Sequence, residues 1–178
     1  LTYKTIILTS VALLAASSVT AQTQATCAIQ AGFSPEGSAA ELVLKNIESA
    51  HHSIRLAAYT FTSPDVVQGL VDAKERGVDV QVVADEKGNK GRTATASLNR
   101  LVNAGIPVRS VSAYPIHHDK YIVIDGRTVE TGSFNYTRSA AGKNSENVIV
   151  ISDCPALAGE YLEHWQSRWV EGAEYQPY

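Results

Sequence analysis

Between residues 54 and 111 the chain alternates apolar runs with amphipathic stretches, and this rhythm restricts its fold more than any other feature. Ile54 to Phe61 is an apolar, β-rich run that predicts a buried strand. Ser63-Pro64-Asp65 opens a helix, Asp65 to Arg76, which Gly77 stops. Val78 to Ala84 predicts a second strand, Asp85 to Arg92 a polar loop, Thr93 to Ala104 a further helix, and Ile106 to Val111 a third strand. Strands that alternate with helices of this length call for parallel pairing with helices packed on the sheet.

The flanking segments extend that plan. Pro35 to Ala50 has apolar residues at helical spacing, opened by Ser34-Pro35. After residue 111 the rhythm shortens. His118 to Ile124, the Asp125-Gly126 turn and Arg127 to Thr131 predict an antiparallel hairpin, because Asp-Gly suits a primed turn. Glu146 to Ser152 predicts another strand and Pro155 to Glu171 a closing helix, whose Leu162, Trp165 and Trp169 form a core-facing stripe. The expected fold is α/β: a mixed, largely parallel sheet flanked by helices on both faces, with one domain per chain. At 178 residues, 44% of them hydrophobic, the chain has enough apolar material for one such core.

Residues 1–21 have the composition of a secretory signal peptide: Lys4, an apolar stretch of about a dozen residues, and small residues around Val19 and Ala21. The expected organisation is therefore a signal over 1–21 and a single folded domain over 22–178, exported to the periplasm or secreted. Cys27 and Cys154 suit an oxidising compartment. They either close a bridge across most of the domain or remain separate thiols, and the sequence leaves both open.

The formal charge of −3 excludes an overall basic field, so an anionic ligand must be held by a local set of donors. Residues 116–146 contain one. His118 and Lys120 stand two apart in the predicted strand and share a face. Asp125 follows at the turn, then Gly132-Ser133-Phe134-Asn135, then Glu146. A nucleophile or base, a cation, two neutral donors and carboxylates able to orient an imidazole suit phosphoryl transfer. Neutral His118 could attack phosphorus and form a phosphohistidine, while Lys120 and Asn135 hold the non-bridging oxygens. His51, His52, His117 and Asp119 lack the paired spacing of a metal site, so no metal and no cofactor is expected.

The string His118-x-Lys120-x4-Asp125, followed by Gly132-Ser133-x-Asn135 and Glu146, resembles the signature of the phospholipase D superfamily. Most members of that superfamily carry two copies, and this chain carries one; in this it resembles the superfamily's short bacterial endonucleases. The resemblance implies a catalytic set of His118, Lys120, Asp125, Asn135 and Glu146, with phosphate bound by Lys120, Ser133 and Asn135. Glu146 is the first candidate to orient the imidazole, while Asp125 either shares that task or holds its loop. It further implies a homodimer in which two His118 residues share one site, one as nucleophile and one as general acid. The implied activity is metal-independent, non-specific cleavage of DNA and of RNA.

Lys87, Lys90 and Arg92, in a glycine-containing loop after a predicted parallel strand, form a candidate nucleic-acid groove beside that site. Two other functions compete. A phospholipid hydrolase or phosphatidyl transferase would use the same chemistry, but no docking segment follows Ala21, so no stable membrane association is expected. A nucleic-acid binder without turnover would leave His118 without a purpose.

Overall fold

The computed structural model describes residues 26–177; the expected signal over 1–21 lies outside the described residues. In chain order the elements are β1 (Ala28–Ser34), α1 (Ser38–Glu48), β2 (Ser53–Ala58), α2 (Pro64–Glu75), β3 (Asp79–Asp85), α3 (Arg92–Asn103) and β4 (Val108–Val111). There follow β5 (Lys120–Ile124), β6 (Thr128–Gly132), α4 (Arg138–Gly142), β7 (Glu146–Ser152), α5 (Pro155–Glu171) and β8 (Ala173–Glu174). They build one eight-stranded sheet in the order β1-β7-β6-β5-β2-β3-β4-β8.

The sheet is mixed and helices cover both faces, but its balance corrects the expectation of largely parallel pairing. Among the described residues, β2–β3 and β3–β4 pair parallel and the other five pairings are antiparallel. The helical crossovers through α2 and α3 bring the chain back to pair parallel with the strand it has just left. The β5–β6 hairpin and the β6–β7 connection instead return it antiparallel to its neighbour. Asp125 and Gly126, at φ 52° and 64°, make the expected primed turn.

Two cores lie on opposite sides of the sheet. Ile54, Leu56, Val80, Val82, Ile122 and Ile124 pack under α1, α2 and α3. Ala57, Val83, Tyr121, Val123 and Val129 pack under α5 through Ala158 and Trp165. The buried Trp165 also donates its indole N–H to the Leu56 carbonyl at 3.0 Å, so truncating it would cost about 3–5 kcal/mol. Trp169 stacks on it at 4.9 Å, which gives the aromatic stripe the core role its spacing predicts.

β1, α4 and β8 are additions to the predicted elements. β1 is an exposed edge strand pairing along its whole length with β7, and its composition carries little apolar alternation. Cys27 and Cys154 are disulfide-bonded, with Cα atoms 5.0 Å apart. The bridge spans 127 residues of sequence and ties the start of β1 to the start of α5. Closing a loop that long stabilises the fold by about 5 kcal/mol in the chain-entropy picture.

Candidate active site

Strand direction gathers the polar residues at one end of the sheet. Ala58, the last residue of β2, pairs with Lys120, the first of β5. The hairpin carries β6 back to Gly132 at the same end, and β7 starts there at Glu146. This is the carboxyl end of the parallel strands β2, β3 and β4, where α/β sheets collect ligands. Gly132 is required at this crossing: a Cβ there would lie 2.2 Å from the Asn147 carbonyl oxygen. The Ser133 N–H donates to that same oxygen at 3.1 Å.

His118 precedes β5 rather than belonging to it, which corrects the predicted strand start. Asp85, at the end of β3, fixes this segment by accepting from the His117 backbone N–H at 2.8 Å through Oδ2. Its Oδ1 accepts from the Gly88 N–H at 2.5 Å, so one buried carboxylate joins the loop after β3 to the approach to β5. Asn89 adds a second brace. Its side chain accepts from Phe61 N–H at 2.8 Å and donates to the Tyr59 and Asp85 carbonyls at 2.7 and 2.8 Å.

On this frame His118 is exposed and its ring packs against Tyr59, with centroids 4.7 Å apart. Lys120 is buried beneath it. Its ammonium donates to the His118 carbonyl at 2.8 Å and stands 5.3 Å from the Tyr59 ring centre. Burial lowers the Lys120 pKa, against the opposing fields of Asp119 and Glu146. Both residues line an open groove of about 480 Å³ with Thr131, Gly132, Tyr161 and His164. The groove thus sets an accessible imidazole beside a cation that the fold has already desolvated.

Ser133 and Glu146 lie at the same end of the sheet, after β6 and at the start of β7. Ser133 Oγ donates to Glu146 Oε2 at 2.6 Å, and Asn144 donates to Oε1 at 2.9 Å. Glu146 is thereby held by neutral donors on its own side of the site. The Oδ1 atom of Asn135 is buried without a hydrogen-bond partner, two residues beyond Ser133.

Asp125 is not brought to this site. It lies at the opposite end of β5, where its carboxylate accepts from the backbone N–H groups of His51, His52 and Ser53 at 2.9, 2.8 and 2.7 Å. Burial would raise its pKa, but the three donors outweigh it and hold the group below the ordinary value. Of the two roles open to it, the structure assigns the structural one, and its place in the catalytic set is corrected. His51 and His52 share that end of the sheet, whereas His117 and Asp119 lie at the other. Among the described residues no cluster of three or more His, Cys, Asp or Glu is arranged to hold a metal ion.

The basic loop is only partly a free surface. Lys90 pairs with Glu86 at 2.9 Å, and Lys87 leans toward the Pro115 carbonyl at 3.5 Å, while Arg92 is exposed at the first position of α3. Sequence reasoning missed Tyr59, Asp85 and Asn89. A signal existed for Asp85, a carboxylate at the end of a strand expected to be parallel. It also missed the bond between Asp119 and His164 at 2.9 Å, because it joins the pre-β5 segment to α5 across 45 residues.

Residues 43–169 match the family model described as "Cardiolipin synthase, PLD-like domain". The chain is 38% identical over 136 residues to a phospholipase D of Rickettsia bellii, covering 76% of this chain and 66% of that protein. It is 31% identical over 126 residues to a mitochondrial cardiolipin hydrolase of Chlamydomonas reinhardtii, covering 71% of this chain and 55% of that one. This chain therefore spans somewhat over half to two thirds of the length of these relatives. Among solved structures it resembles the phospholipase D family member Nuc from Salmonella typhimurium. The TM-score is 0.84 at 55% identity, over 85% of this chain and 99% of that one.

Proposed function

The chain belongs to the phospholipase D superfamily, whose members include phosphodiesterase-type enzymes, and from that premise we propose that it is an exported, metal-independent endonuclease acting on DNA and RNA as a homodimer. The observation that carries this reading is the exposed His118 imidazole beside the buried Lys120 ammonium in an open groove. A groove of this kind suits a solvated sugar-phosphate backbone, which is recognised through its phosphates whatever the base sequence. The Cys27–Cys154 bridge supports an exported setting.

In the proposed reaction a ring nitrogen of neutral His118 attacks phosphorus and forms the N–P bond. The opposite P–O bond breaks, and its oxygen takes a proton from His118 of the partner subunit. Lys120, Ser133 and Asn135 hold the non-bridging oxygens while charge accumulates there. Water then attacks the phosphohistidine, giving its proton to the histidine that acted as acid, and His118 leaves unchanged. The proposed cycle thus takes its nucleophile from one chain and its acid from a second.

A second reading keeps the chemistry and takes a phospholipid as substrate. It is favoured by Ile116, 53% exposed two residues before His118, where an apolar side chain could meet acyl chains. Nicking of supercoiled plasmid in excess EDTA, by the native chain and by His118→Asn, tests both readings when repeated on cardiolipin vesicles. Plasmid cleavage by the native chain alone is expected. Vesicle hydrolysis without plasmid cleavage would transfer the assignment to lipid, and EDTA-sensitive cleavage would overturn the metal-free cycle.

A further inference from the structure

A second groove, of about 550 Å³, opens between the start of α2, the exposed side of α3 and the start of α4. Its polar lining includes Thr62, Thr93, Ser97, Arg100, Arg138 and Ser139, and no carboxylate lines it. That is a marked local bias in a chain with 18 acidic and 15 basic residues. Arg138 is exposed at the first position of α4, and exposed Arg92 precedes Thr93 at the start of α3. Arg100 bonds Gln68, a neutral amide, and Asp72 is reached only through that amide. Among the described residues no carboxylate therefore pairs directly with Arg100 or Arg138, whereas Lys90 pairs with Glu86.

Backbone hydrogen bonds tie the wall of this groove to the segment that carries Asn135. The Tyr136 carbonyl accepts from the Thr62 and Ser63 N–H groups, both at 2.8 Å, which locks the groove wall to the segment carrying Asn135. Arg138 follows Asn135 by three residues, so their Cα atoms are at most about 10 Å apart. A nucleic-acid strand advances about 3.4 Å per nucleotide along its axis, so that distance corresponds to about three nucleotides.

We propose that this groove binds the phosphate backbone of a polynucleotide strand leaving the His118 site, with Arg100 and Arg138 as its principal cations. The proposal rests on the nuclease reading of that site and deepens it by naming a polyanionic chain, rather than a single phosphodiester, as the ligand. The hydroxyls of Thr62, Thr93, Ser97 and Ser139 supply short neutral donors to phosphate oxygens, and such contacts position a strand without reading its bases.

The test uses the R100E/R138E pair in the His118→Asn background, with a fluorescently labelled oligonucleotide titrated between about 50 and 200 mM salt. Each phosphate contact contributes about 0.9 to the slope of log affinity against log salt, so the double variant should flatten the slope by about two. That corresponds to about tenfold less loss of affinity across the salt range. An unchanged slope overturns the groove, as does a variant whose solution mass falls to one chain, which would make the groove a subunit contact. Turnover of bis(p-nitrophenyl) phosphate by the chain with intact His118 tests the underlying reading separately. If that diester is not cleaved while the oligonucleotide slope still flattens, the groove stands and the catalytic assignment falls.

Discussion

Ser133 Oγ donates a hydrogen bond to Glu146 Oε2 at 2.6 Å and accepts one from the Asn147 backbone N–H at 3.0 Å. One hydroxyl thereby locks the loop after β6 to the first two residues of β7, at the end of the sheet where Lys120 begins β5. Ser133→Ala should leave Glu146 with Asn144 as its remaining side-chain donor and let the loop drift from the phosphate position. The expected outcome is a fall of about 10²- to 10³-fold in kcat, the size seen on losing one oxyanion donor. Ser133→Thr, which restores the hydroxyl, should recover most of it. Steady-state turnover of a small phosphodiester measures both, and a Ser133→Ala variant with native kcat would remove Ser133 from the site.

The role of Asp125 separates stability from catalysis. Its carboxylate accepts three backbone N–H groups at the end of the sheet remote from His118. Each hydrogen bond to a charged group contributes about 1.5–3 kcal/mol, and the three share one carboxylate. Asp125→Ala should therefore cost about 3 kcal/mol in denaturant unfolding while kcat of the folded fraction stays within a few-fold of native. Because the folded pKa is depressed, the stabilisation is present above the unfolded value of 3.8 and is lost as pH falls through the folded one. A stable Asp125→Ala variant with abolished turnover would return this residue to the catalytic set.

These two carboxylates show how far the sequence was legible. Periodicity located β7 and α5 to the residue, and the Asp-Gly pair gave the turn, because each rests on local pattern. The polar string His118, Lys120, Ser133 and Glu146 was found by spacing, since strands of a hairpin return to one edge. Spacing put Asp125 at the far end of β5 but did not show its role, because the hydrogen bonds that decide it come from residues 51–53. Likewise β1 carries too little apolar alternation to announce itself and is held by pairing with β7 and by the disulfide. Tyr59 and Asn89 were invisible for the same reason: their contacts join loops from different crossovers.

A site that needs two His118 residues makes a quantitative demand on mixtures. When native chains and His118→Asn chains exchange subunits at equal concentration, about a quarter of the dimers carry two histidines. Turnover should then fall to about that fraction, because the mixed dimers lack either nucleophile or acid. Activity that falls only to half would mean that each chain works alone. Analytical ultracentrifugation at the assay concentration should show the mass of two chains, and a single-chain mass with full activity would sink the shared site.

Glu130 supplies a pH signature outside the site. It lies in the core under the α1–α3 layer, with its Oε2 accepting from the Tyr136 hydroxyl at 2.8 Å. Burial pushes its pKa up from 4.5 to about 8, against the lowering effect of that bond. Between these values the folded chain holds a proton that the unfolded chain has released. Stability attributable to Glu130 is therefore complete below about 4.5 and declines as pH rises through about 8. Glu130→Gln keeps a neutral side chain of the same size in the same place and has no proton to lose. Thermal unfolding of the two proteins from pH 5 to 9 should show the variant gaining on the native chain as pH rises, with the Tm difference largest at the alkaline end. Parallel curves across the range would mean that Glu130 is already ionised in the fold and that the core tolerates its charge.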